Sequence, residues 1–383
     1  MLAVRCLGLL VAVVVGLSAA SFADIKTFNE AVQKGDYKTA ATEARATWAT
    51  WDKSDPDTAT VAREFGFAAL ITGDYEAARQ YGQFLVENGA TLTKPDDQPA
   101  VSAVLFCFAD FRIRKGEAER NALRAALLAR NAAPGLDMTS VIAWEGLYVA
   151  DWNASDWESA HSDASAAAAF LGRNEKAFTV RIRTAEVQAA AALFLDSRIR
   201  IGPGRNALYN GMADVHDRIV ADIDAAKSDA VRNQLWPLKW RAEAWTLAIG
   251  AFLDSSYAQI GSNISTALEH RALAGTKFGQ VPEDLATANL PQCTARWEGP
   301  AVKYPKEAGY RGMVGGVIAR VETDADGKVL KVEIMATVPA EAFSARVIET
   351  YSKWRLRPEK GVAAGSCRLN SRNNFIKMSF RIL

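Results

Sequence analysis

Apolar and polar positions alternate most regularly near the C-terminal end of the chain. Alternation over 317–321 and over 330–334 predicts two half-buried strands. Asp326-Gly327 lies between them and is typical of a hairpin turn, because glycine tolerates the positive φ that such turns need. Apolar residues then recur at helical spacing over 343–354, and alternation returns from Phe375 onward. The pattern predicts a small α+β domain with the order β-β-α-β.

The long region 24–275 lacks this alternation and is rich in Ala, Leu, Glu and Arg. Gly35-Asp36-Tyr37 recurs in it as Gly73-Asp74-Tyr75, and Ser155-Asp156-Trp157 is a later, degenerate copy. Such a motif suits a helical hairpin, because the first residue makes the turn and the aromatic residue seals it. The pattern is similar to tetratricopeptide repeats, with longer and less regular spacing. It predicts an all-α helical-repeat domain.

The predicted organisation is therefore multi-domain. Residues 24–275 form the tetratricopeptide-like helical-repeat domain, and residues 302–383 form the small α+β domain. Between them, the segment 276–301 contains Pro282, Pro291 and Pro300 and few large apolar residues, which predicts a linker.

The C-terminal segment resembles the C-terminal domain of the TonB energy-transducer family. The matching features are Tyr304-Pro305, Gly312, Asp326-Gly327-Lys328-Val329, Trp354-Arg355-Leu356-Arg357-Pro358 and the closing strand. The resemblance implies a periplasmic fold that binds peptides and has no catalytic residues. The family's transducers place a membrane anchor and a long proline-rich spacer before this domain, whereas this chain has the helical region there.

The N-terminal segment 1–23 is typical of a signal peptide. Arg5 supplies a positive charge, the run 7–20 is apolar, and small residues precede Asp24, where cleavage is expected. The apolar run is shorter than the ~20 residues of a membrane span. We therefore expect a periplasmic protein of a Gram-negative bacterium with no membrane span after cleavage. An uncleaved anchor, which would make the chain a transducer, is the alternative; Met1 or Asp24 at the N-terminus of the cellular protein separates the two.

Charge is distributed unequally along the chain. Residues 293–383 hold 16 Lys and Arg against 9 Asp and Glu, a net charge of +7, whereas residues 24–292 hold 28 against 35, a net charge of −7. In one interpretation, the two parts simply present solvated surfaces of opposite charge. Alternatively, they bind each other, or the basic part binds an acidic peptide or an anionic surface. Nucleic acid is not expected as a partner, because the secretion signal directs the chain away from it.

Cysteines and histidines give no sign of a metal, a cofactor or a catalytic site. Cys293 lies just before the C-terminal domain and Cys367 lies between its helix and its last strand, and a disulfide between them is chemically permitted outside the cytoplasm. Cys107 is expected to be a small buried residue. His161, His216 and His270 are far apart in sequence and are expected to be solvated or capping residues. We expect no enzymatic activity; a hydrolase with a site in the helical domain is the remaining alternative.

The candidate site is the last strand, which we expect to bind an extended peptide of another envelope protein, such as an outer-membrane receptor, by pairing along its edge. Alternation places Ile376, Met378 and Phe380 toward the core, and places Phe375, Lys377, Ser379 and Arg381 outward. A homodimer through the same edge is an alternative. Three tryptophans, Trp236, Trp240 and Trp245, form either core packing or the lining of a peptide groove. The candidate peptide-binding residues are Asn374, Phe375, Ile376, Lys377, Met378, Ser379 and Phe380.

Overall fold

The structure is a computed structural model that describes residues 25–199, 205–256, 290–339, 341–363 and 365–380. The predicted signal peptide at 1–23, the predicted boundary at 275/276, His270 and Arg381 lie outside the described residues. By its internal contacts the chain divides into an N-terminal unit, Met1–Phe178, and a C-terminal unit, Thr179–Leu383. The division falls at Phe178, where non-helical backbone interrupts a helix.

The N-terminal unit is built from helices joined in pairs by tight turns. Neighbouring pairs pack against each other along the chain, and the helical character predicted for this region is confirmed. The helices are α1 (Lys26–Gln33), α2 (Tyr37–Thr50), α3 (Thr58–Thr72), α4 (Tyr75–Asn88), α5 (Pro99–Arg114), α6 (Glu117–Ala132), α7 (Met138–Asn153) and α8 (Trp157–Leu171).

The repeated sequence motif corresponds to one repeated turn. The turn residue has a positive φ in each of the four pairs, at Gly35, Gly73, Lys115 and Ser155. In three of the turns the following aspartate caps the second helix, because its carboxylate accepts a hydrogen bond from the backbone N–H three residues later. These caps are Asp36, Asp74 and Asp156.

Ion pairs join each helical pair to the next in the same way. An arginine on the second helix of one pair contacts an aspartate of the following pair, as Arg45 does with Asp74. The later pairs are Arg79–Asp110 at 2.8 Å and Arg120–Asp151 at 3.2 Å.

In the described residues, the C-terminal unit contains three long helices and two small antiparallel sheets. The first sheet has the strand order β3-β2-β5, and the second contains β1 and β4. Strands β2, β3 and β5 with helix α13 are the predicted β-β-α-β elements. In chain order the elements are α9 (Glu175–Ile199), α10 (Arg205–Ala225), α11 (Asp229–Ser256), β1 (Ala295–Glu298), α12 (Lys306–Tyr310), β2 (Gly315–Thr323), β3 (Val329–Val338), α13 (Ala342–Tyr351), β4 (Arg355–Pro358) and β5 (Ser371–Phe380).

Helix α13 covers one face of the three-stranded sheet. Phe343, Val347 and Tyr351 recur at helical spacing and are buried in one apolar cluster. Alternate residues of β2 and β5 supply the other side of this cluster, as their periodicity predicts. The residues from the strands are Val317, Ala319, Val321, Ile376 and Phe380, with Met378 packed against them.

Helix α11 covers part of the opposite face of the sheet, so Phe375 and Lys377, which point away from the core, also contact this helix. The Phe375 ring stacks on Trp240 at a centroid distance of 6.3 Å, and Lys377 forms an ion pair with Glu243. Ile318, on the same face of β2, is only 1% exposed. The helix comes so close at Gly316 that an added Cβ would overlap the Ala244 carbonyl oxygen. The C-terminal domain is therefore not complete without a helix from the preceding region.

The end of the predicted linker is ordered into the C-terminal unit. Strand β1, which lies within 276–301, pairs with β4, and the Trp354 Nε1–H donates a 2.8 Å hydrogen bond to the Pro300 carbonyl oxygen. Cys293 and Cys367 form a disulfide bond across a sequence separation of 74 residues. Residues 290–301 of the predicted linker thus contact the C-terminal domain through a strand, a hydrogen bond and a disulfide.

Candidate functional site

Strand β5 is an edge of the three-stranded sheet. It pairs with β2 along one side, and no strand of the described residues occupies its other side along 375–380. Its register with β2 is continuous from Phe380, which lies opposite Gly315, to Asn374, which lies opposite Val321. A regular edge of this kind presents unpaired backbone N–H and C=O groups in a straight row.

The opposite edge of the same sheet is irregular. Strand β3 has an extra, unpaired residue against β2 at two places. The first is Met335, since its neighbours Ala336 and Ile334 lie opposite the adjacent residues Ile318 and Ala319. A second shift leaves out Leu330 in the same way. Such bulges bend a strand and interrupt its row of hydrogen-bonding groups. Of the two edges, β5 therefore has the longer stretch of unbroken register.

A short segment closes the beginning of the β5 edge. The Cys293 N–H donates to the Arg368 carbonyl oxygen at 2.9 Å, beside the disulfide. The neighbouring Gln292 Nε2 donates to Asn374 Oδ1 at 2.7 Å, and Asn374 Nδ2 donates to Thr323 Oγ1 at 3.1 Å. Both ends of the Asn374 amide are therefore engaged within the chain, and the open part of the edge begins at Phe375.

The side chains of the open edge divide between the two faces of the sheet. Ile376 and Phe380 are buried in the core, so they hold the strand in place. Phe375 is 37% exposed although its ring stacks on Trp240. The structure thus brings together six of the seven predicted residues as an open strand, and places the Asn374 side chain in internal contacts.

The Glu243 carboxylate links helix α11 to this edge. It is 3% exposed and forms ion pairs with Lys239 at 2.9 Å and with Lys377. Burial would raise the pKa of Glu243, but the two ammonium groups outweigh this effect and hold the pKa below its ordinary value. A carboxyl whose pKa is lowered by folding stabilises the protein above its unfolded pKa, and loses this effect as the pH falls through the folded pKa.

Glu243→Gln is therefore expected to destabilise the C-terminal unit most at neutral pH. We expect a loss of about 2 kcal/mol at pH 7, below the full cost of breaking a buried ion pair because both lysines can reach water. The difference from the parent chain should shrink as the pH falls below about 4, where a free glutamate is protonated. Urea unfolding at several pH values measures this, and a difference that grows toward acid pH would contradict the assigned ion pairs.

The packing of α11 against the sheet was not predicted from the sequence. Trp236, Trp240 and Trp245 are each at least nine-tenths buried, so they form packing and not the lining of an open groove. A usable signal was Ile318, an apolar residue on the face of β2 that alternation assigns to solvent. His216 was expected to be solvated or capping but is buried on α10.

Residues 300–375 match the family described as Gram-negative bacterial TonB protein C-terminal. No curated protein and no solved structure matches the chain. Within the described residues, no helix has the length and apolar character to cross a membrane, and no cluster of three or more His, Cys, Asp or Glu side chains is arranged to hold a metal ion. The family match indicates a TonB-like role in interactions among proteins of the Gram-negative envelope.

Proposed function

We propose that this chain is a periplasmic, non-enzymatic interaction protein that binds extended peptide segments of envelope proteins along the open edge of β5. The observation that carries the proposal is the unbroken register of this edge over 374–380, beside an opposite edge that is bulged twice. The segments bound would belong to envelope proteins, an outer-membrane receptor among them. The tetratricopeptide-like repeats would offer a second binding surface, since stacked helical hairpins form extended faces.

Binding by strand addition draws its affinity from the main chain. In an antiparallel ladder every second residue points both its N–H and its C=O toward the same neighbour. Over 375–380 the alternate residues that do not face β2 offer these groups to a partner strand. The buried side chains of Ile376 and Phe380 fix the strand before a peptide arrives, so little ordering of the edge is required on binding.

Two neighbouring proline substitutions test this edge. Met378 and Ser379 are adjacent, so the backbone N–H of one faces β2 and that of the other faces the open side. Proline at the outward position is expected to leave the fold intact and abolish binding, whereas proline at the inward position breaks the ladder to β2. The measurement uses peptides selected from a random display library on the parent chain, followed by titration of each variant and by amide hydrogen exchange of the complex.

The exchange data identify the site independently of the variants. Slowed exchange of amides in 375–380 on peptide addition, lost with the outward proline, supports the proposal. Met378→Ala serves as the control for the loss of core packing at that position. Protection confined to β3, or to the helices of the N-terminal unit, would exclude the β5 edge as the binding site.

A further inference from the structure

Helix α11 lies outside the residues that match the TonB family, yet it contacts the candidate edge. Trp240 stacks on Phe375, the first residue of the open part of β5. Trp236 packs against Trp240 one turn earlier, at a centroid distance of 5.4 Å. These rings form a continuous aromatic layer whose outermost member, Phe375, remains 37% exposed. An exposed aromatic ring backed by buried rings at the start of a pairing edge is a surface for one further apolar side chain.

Strand geometry defines which part of a bound peptide would meet this layer. The peptide residue directly opposite Phe375 projects to the same face, with its Cβ about 5 Å away. Its side chain would therefore lie against the exposed side of the Phe375 ring. The peptide residue two positions away lies opposite Lys377 on the same face, because side chains alternate along a strand.

The charges on this face favour an acidic residue at the second position. Lys377 and Lys239 share the single carboxylate of Glu243. Farther along the same face, three cations and two carboxylates surround a surface depression of about 160 Å³. The cations of this depression are paired with its own carboxylates, so the acidic preference rests on the two ammonium groups beside Glu243. The depression is lined by Arg320, Glu322, Lys331, Glu333 and Arg372.

From this arrangement we infer that α11 and β5 together form a side-chain subsite selecting peptides that carry a bulky apolar residue and, two positions from it, an aspartate or glutamate. The apolar residue pairs with Phe375 over Trp240, and the acidic residue faces Lys377. The inference rests on the proposed function, because it concerns the same β5 edge. It assigns the choice of partner partly to a helix of the preceding region, so partner choice is a property of the whole C-terminal unit.

Synthetic peptides of defined sequence test the subsite on the full mature chain. Each is a threonine- and valine-rich strand with one Phe and one Glu two positions apart, made with Glu before Phe and with Glu after Phe to cover both strand directions. Matched peptides carry Ser in place of Phe, or Lys in place of Glu. Affinities are measured by fluorescence anisotropy. We expect one Phe-Glu order to bind about fivefold to tenfold more tightly than its Ser-containing match, as cross-strand aromatic pairs allow.

Phe375 variants assign the preference to the subsite. Phe375→Ala is expected to remove the preference for Phe over Ser, while Phe375→Tyr keeps it. Lys377→Gln is expected to reduce the preference for Glu over Lys, with unchanged discrimination at the apolar position. Equal binding of all peptides, or a preference that survives Phe375→Ala, overturns the subsite and leaves strand pairing intact. If none of the synthetic peptides binds, and if the display-selected peptides protect amides outside 375–380, both the subsite and the proposed binding at the β5 edge are wrong.

Discussion

Replacing Cys293 and Cys367 together by serine is expected to lower the free energy of unfolding of the C-terminal unit by about 4 kcal/mol, from the loop-entropy relation for a separation of 74 residues. The bond confines the unfolded chain, and its removal lets the denatured state expand. It also ties the segment around Gln292 to Arg368, beside the start of β5. The double variant should therefore lose part of the protection of that strand as well.

Hydrogen exchange of β2 amides in increasing urea measures this loss separately from unfolding of the N-terminal unit. The variant is expected to have a lower midpoint and a steeper dependence on urea, because its denatured state exposes more surface. Cys107→Ser is the control, since Cys107 lies on α5 as a free thiol. Free thiols at Cys293 and Cys367 in protein isolated from the periplasm without reductant would contradict the bond.

Gly316→Val is expected to destabilise the C-terminal unit by about 3 kcal/mol, the upper part of the range for overpacking. Valine favours strands, so local preference alone would stabilise β2. The loss comes from α11, because a Cβ at this position overlaps the backbone carbonyl oxygen of Ala244 and also approaches Leu247. A backbone atom cannot rotate away as a side chain can, so the helix itself must move.

Exchange of the α11 amides reports whether the helix is displaced. We expect faster exchange over this helix in Gly316→Val than in the parent chain, with the sheet core around α13 less affected. Gly309→Ala is the matched control, since a Cβ there meets only the Tyr304 ring at an ordinary 3.7 Å. Unchanged exchange of α11 in the valine variant would show that the helix does not pack on β2.

Local periodicity was sufficient to predict the strands and the helix that bury one apolar face in the core. The strands around Val317 and Val332 follow from alternation, and the apolar side of α13 follows from helical spacing. The structure extends both strands by a few residues and ends the helix at Tyr351, before Trp354. The turns of the N-terminal unit follow from a motif whose first residue has a positive φ and whose aspartate caps a helix. In each case the deciding interactions are close in sequence.

The interactions that shape the candidate site are distant in sequence. Trp240 and Phe375 are 135 positions apart, and no periodicity in either element identifies the other as its partner. The bulges at Leu330 and Met335 depend on how β3 fits β2, because neither residue is a proline or glycine that would mark one. The last strand could thus be predicted as the candidate site from the sequence. Its more regular register than that of β3, and the contact between Phe375 and Trp240, became visible only in the structure.

The difference between the two edges also limits how copies of this chain can assemble. A sheet with two regular edges can add one copy to each, and head-to-tail addition then continues into an open filament. Here the bulged β3 offers no straight row for a second copy's β5, so growth in that direction stops. The pairing that remains is β5 with β5, which is two-fold symmetric and complete at two molecules. If copies of this chain associate through these sheet edges, we therefore expect a closed pair and not a filament.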